Sequence, residues 1–88
     1  MTTDELLSER AKTHGNFVDT AAVATNLKRM IRNHSISSRL HYMQIEALDM
    51  IALKIARILT GDADCVDHWE DIAGYAMLVT RDIKNRRD

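Results

Sequence analysis

Apolar residues recur along this chain at three- and four-residue spacing, separated by short polar breaks, and strict apolar–polar alternation is absent. That rhythm predicts helices rather than strands. Thr2 and Glu5 have capping-box spacing and open a short helix, "DELLSERAK", that stops at His14-Gly15. Asn16 can cap a second helix, with Asp19 three residues on and an apolar stripe of Phe17, Ala24, Leu27 and Ile31. "RNHSISS" is a polar break, rich in side chains that compete for backbone hydrogen bonds. A third helix is predicted from Ser38 or Arg39 to Thr60, ending at Gly61. Asp64 is expected to cap a fourth that continues to about Asn85. The fold class is therefore all-α, a small helical bundle with two long helices.

The third helix is apolar around most of its circumference. Leu40, Ala47, Leu48, Ile51, Ile55, Ile58 and Leu59 cover a wide arc, extended by Met43 and Met50. A helix of that kind is buried on several sides. The chain has 88 residues, and a domain of that size buries only about 60–65% of its unfolded surface. We therefore expect one domain over residues 1–88, completed by oligomerisation to a dimer or tetramer with Met43, Met50 and Ile51 near the contact. On the fourth helix Trp69, Ile72, Ala73, Ala76, Val79 and Ile83 form the expected buried stripe.

Composition narrows the setting. The single cysteine, Cys65, excludes an intrachain disulfide and a cysteine-rich zinc site, and fits a reduced, cytoplasmic setting. The start, "MTTDELLSER", is acidic and polar, unlike a signal peptide, and no apolar run approaches a membrane span. A net charge of −1 gives no general attraction to nucleic acid, so no specific nucleic-acid binding is expected.

At about 100° per residue, Glu46, Asp49, Leu53, Arg57 and Thr60 share one strip of the third helix, with Lys54 at its edge. Asp67, Asp71, Gly74 and Leu78 form a row on the fourth helix, opposite its buried stripe. Two helices each carrying two acids one turn apart are how a bundle builds a Mg²⁺ site, and Lys54 and Arg57 would accompany a bound phosphate. Plainer readings stand beside this one. Asp67 in the first helical turn stabilises the helix dipole by itself, and the other charges could simply face solvent. Gly74 favours a close neighbour, because a mid-helix glycine costs about 1 kcal/mol relative to alanine. His41 and His68 have no partner histidine at helical spacing, Trp69 reads as core, and Cys65 lacks a nearby base.

"LLSERAKTHGNF", "EALDMIALKIARILTGD" and "DHWEDIAGYAMLV" resemble a family of small bacteriophage and prophage proteins of unassigned function. The order "HG-x-F … K-x-x-R-I … D-x-x-x-D-I-A-G-Y-A" is more distantly similar to the MazG-like, all-α nucleoside triphosphate pyrophosphohydrolases. That resemblance implies an oligomeric bundle in the cytoplasm of an infected or lysogenic host. It implies Mg²⁺ held by Glu46, Asp49, Asp67 and Asp71, with Asp67 and Asp71 also catalytic. Lys54, Arg57, His14 and Tyr75 would bind the nucleotide. Leu53 stands where some relatives carry an acid.

Three functions follow as expectations. One is a Mg²⁺-dependent (d)NTP pyrophosphohydrolase, which requires Asp67, Asp71 and at least one of Glu46 and Asp49 to converge. Another is a non-catalytic binder of a linear or cyclic nucleotide, an anti-defence sponge that sequesters a host-immunity signal. The third is a helical adaptor between proteins.

Overall fold

Four helices account for nearly all of the chain: α1 (Thr3–His14), α2 (Phe17–His34), α3 (Tyr42–Thr60) and α4 (Val66–Arg87). The computed structural model describes residues 2–34 and 39–87. No strand occurs among the described residues, as the all-α reading expects.

Local chemistry sets the ends. Thr2 Oγ1 accepts from the Glu5 N–H at 3.1 Å and starts α1. Asn16 Oδ1 accepts from the Val18 N–H at 2.9 Å and starts α2. The third helix begins later than expected. His41 Nδ1 accepts from the Met43 N–H while the His41 N–H donates to Gln44 Oε1 at 2.8 Å, a capping box that places the first helical residue at Tyr42. Arg39 therefore precedes α3, and the alternative start at Ser38 lies outside the described residues. The Asp64 cap is also corrected. The Asp64 N–H donates to Asp62 Oδ1 at 2.9 Å, and α4 starts at Val66, which makes Asp67 its second residue. Side chain-to-backbone bonding inside the turn displaced the cap.

α3 is the middle helix. It packs against α2 on one side and α4 on the other, and α2 and α4 do not meet. Asp49 and Thr60 mark its α2 side through bonds to Arg32 and Thr20, and the phase of the helix puts buried Ala52 and Ala56 there too. Lys54 marks the α4 side, with buried Ala47 in phase with it. Met43 and Met50 share that side and are half-buried. The core is built from Ala24, Ala47, Ala52 and Ala56, and no large side chain is fully buried.

Two expected stripes shift. Phe17 is 83% exposed, and Thr20 takes its place facing α3. On α4, Trp69 is 54% exposed, with its indole N–H on the Ala63 carbonyl at 2.8 Å; Ala73 and Ala76 are exposed as well. The face turned to α3 runs through His68, Ile72, Tyr75, Val79 and Ile83, a rotation of roughly 60° from the expected stripe at 100° per residue. Apolar character alone misplaced it, because α4 has more apolar surface than α3 covers.

α1 has no buried residue and joins the others at its C-terminal end. There Gly15, at φ 84°, lies against Thr60, and a Cβ at Gly61 would run into the Thr13 carbonyl oxygen. The Asp62 N–H closes the junction on Thr13 O at 3.1 Å. Close approach within the chain occurs at these two glycines; at Gly74, apart from the adjoining backbone of α4, nothing among the described residues lies within 4 Å of a Cβ.

Candidate functional site

The junction of α1, α3 and α4 gathers most of the chemistry. Thr20, buried in α2, has its Oγ1 2.8 Å from Thr60 Oγ1, 3.0 Å from His14 O and 2.9 Å from Asn16 O, so one proton serves several acceptors. His68, only 2% exposed, sets Nε2 2.8 Å from Thr13 O, which makes that nitrogen the donor. His14 meets His68 edge-on, with ring centroids 5.2 Å apart, and its Nδ1 is 2.7 Å from Thr13 Oγ1.

Charge builds outward from this knot. Lys54 is only 8% exposed and its Nζ lies 2.9 Å from Asp71 Oδ2. The hydrogen bond from Lys54 holds the Asp71 carboxyl below the usual carboxylate range, and the charges of Lys54, His68 and Arg57 act in the same direction. His14 is also pushed below the ordinary histidine value of 6.5, first by burial and then by the positive charge of Arg57, His68 and Arg10. Burial and these neighbouring charges both favour the neutral imidazole.

A second ion pair ties α2 to α3. Arg32 grips Asp49 in a fork, Nη1 to Oδ1 at 2.9 Å and Nη2 to Oδ2 at 2.6 Å. That fork is the main cause that lowers the Asp49 pKa. Glu46 is exposed on the same flank and contributes to the field around Arg32.

The expected residues are therefore brought together unevenly. Lys54, Asp71, Arg57 and His14 share one end. Asp49 is turned to α2, Asp67 is exposed in the first turn of α4, and Glu46 is exposed on α3. No three His, Cys, Asp or Glu side chains among the described residues gather to hold a metal ion. Among the described residues of one chain, these carboxylates do not converge as a Mg²⁺ site requires. Tyr75 is half-buried and borders a shallow open groove with Asp71, Gly74 and Leu78; α4 alone lines it, so no second element closes over it. Sequence reading missed Arg32, Thr13 and Thr20, and named His68 and Thr60 without their partners. Each acts with partners on other helices, so no local spacing pointed to it.

The arrangement defines an all-α chain with paired charges on one flank and a polar knot at one end. The chain belongs to the family described as Domain of unknown function (DUF6378), which matches residues 2–82. No curated protein and no solved structure matches it. No helix among the described residues is long and apolar enough to cross a membrane.

Proposed function

We propose that this chain binds a nucleotide by its phosphates at the α1–α3–α4 junction, without hydrolysing it. The supporting observation is the contrast between cations and acids there. Burial lowers the His14 pKa, and the charges of Arg57, His68 and Arg10 lower it further. Asp71 and Asp49, by contrast, are each held by a cation. A phosphate entering beside Arg57 would also compete with Asp71 for the Lys54 ammonium, exchanging one charge-assisted contact for another. The resemblance to bacteriophage proteins supplies the context: a binder in the host cytoplasm that sequesters a signalling nucleotide of host immunity.

A second reading keeps the Mg²⁺-dependent pyrophosphohydrolase. It draws on Asp71, which remains ionised and half-exposed, so that nucleotide-induced release from Lys54 would free a hard oxygen ligand. One experiment separates the two. The protein is incubated with a panel of linear and cyclic nucleotides, with Mg²⁺ or with EDTA, and bound and released species are identified by mass spectrometry. Intact nucleotide retained in EDTA supports the binder. Pyrophosphate released only with Mg²⁺ supports the enzyme. Neither outcome in any member of the panel rejects both and leaves the protein adaptor.

A further inference from the structure

We infer that the largely apolar face of the α2–α3–α4 layer is the contact surface for a second copy of this chain, in a dimer that leaves the opposite, charge-rich face outward. The inference does not depend on the nucleotide reading. The contacts Thr20–Thr60, Arg32–Asp49 and Lys54–Asp71 make both neighbours antiparallel to α3. With right-handed helices at about 100° per residue, this order puts Arg32, Arg57 and Asp71 on one face of the layer. Met30, Leu48, Ile55, Leu59, Trp69 and Ala76 fall on the other, where the charged residues in phase with them are Asp19 near the start of α2 and Arg87 at the end of α4. Four of these large side chains, Met30, Leu48, Leu59 and Trp69, are exposed.

The area is right for a second copy. The chain exposes 6558 Å², against about 5,200 Å² expected for a compact monomer of its 10.0 kDa mass. Its radius of gyration is 15.2 Å, where a chain of this length packs to about 12 Å. The excess of roughly 1,300 Å² exceeds the ~800 Å² that each partner buries in a standard stable interface, leaving the remainder to the projecting α1. A largely apolar face needs a largely apolar partner, and the same face of another copy meets that need with near-zero net charge to repel it. A consequence follows for the site. Back-to-back packing points the two charged faces away from each other, so Glu46 and Asp49 of one copy do not meet Asp67 and Asp71 of the other.

The test is mass by light scattering at micromolar concentration, together with quenching of Trp69 fluorescence by iodide. The wild-type chain should scatter at twice its 10.0 kDa mass, with Trp69 protected. Leu59 is 67% exposed and Leu48 is also exposed in the single chain, so Leu48→Lys/Leu59→Lys should keep its helical circular dichroism. That variant should scatter at the single-chain mass and expose Trp69 to quenching. Leu78→Lys, on the outward side of α4, should leave the dimer intact. A wild-type chain of single mass overturns the inference. So does free quenching of wild-type Trp69, which is read without any variant, and so does a dimer that Leu78→Lys dissociates and Leu48→Lys/Leu59→Lys does not.

Discussion

Replacing Gly61 by alanine probes the junction on which the site is built. A Cβ there would collide with the Thr13 carbonyl oxygen and stand 2.6 Å from the Gly15 nitrogen and 2.8 Å from the Arg57 carbonyl oxygen. All three are backbone atoms, so no side chain can swing aside and the ends of α1 and α3 must separate. Separation strains the Asp62 N–H bond to Thr13 O and the His68 bond to the same oxygen. With about 1 kcal/mol net for each of the two hydrogen bonds and roughly 1–3 kcal/mol for overpacking, the loss is about 3–5 kcal/mol. At 4–8 °C per kcal/mol for a domain of this size, Tm should fall by roughly 12–40 °C. The same change at Gly74 meets open space and gains the helix propensity of alanine, about 0.5–1 kcal/mol, so Tm should rise by roughly 2–8 °C. Thermal melts followed by circular dichroism measure both. A Gly61→Ala protein that melts with the wild type refutes the tight junction. A fall for Gly74→Ala refutes the open face and reveals a ligand or neighbour against that backbone.

The charged groups supply three further outcomes. His14 has a folded pKa below its unfolded value, so its contribution to stability is full above about pH 6.5 and is lost as pH falls through the folded value. Melts from about pH 7.5 down to about pH 5 should show this loss, and His14→Gln should reduce the slope; an unchanged slope removes His14 as its source. Asp71→Asn leaves the buried Lys54 ammonium without its carboxylate, so Tm should fall while nucleotide affinity by calorimetry holds or rises. Weaker binding in that variant would transfer Asp71 to the metal-ligand reading. Arg57→Ala should weaken nucleotide binding by about 1–3 kcal/mol, roughly 5- to 150-fold, with little change in Tm; unchanged affinity places the phosphate elsewhere.

The parts of the fold that rest on local chemistry were legible in the sequence. Thr2, Asn16, Gly15 and Gly61 set helix ends where their side chains, or lack of one, predict. The starts of α3 and α4 were less so. A histidine is an unusual N-cap, and Asp64 sits in a turn with its N–H on Asp62 Oδ1, one residue too early to cap a helix that starts at Val66. The rotated stripe on α4 has a different cause. Hydropathy records that Trp69 and Ala76 avoid water, but not whether this chain or another covers them. The charge pairing was illegible for a third reason. Lys54 and Asp71 read correctly as chemistry-bearing, yet only the antiparallel packing of α3 and α4 shows that they neutralise each other. The same packing, not any spacing, brings His14 to His68.

Nucleotide binding at the α1–α3–α4 junction without metal is tested most directly by a ¹H–¹⁵N correlation spectrum recorded during titration with ATP and with inorganic pyrophosphate, both in EDTA. Saturable shifts should appear at Thr13, His14, Arg57, Gly61 and Asp71, with the phosphorus spectrum of the nucleotide unchanged after prolonged incubation. Shifts confined to the Glu46–Asp49 flank, shifts that appear only once Mg²⁺ is restored, or no shift with either ligand would contradict it.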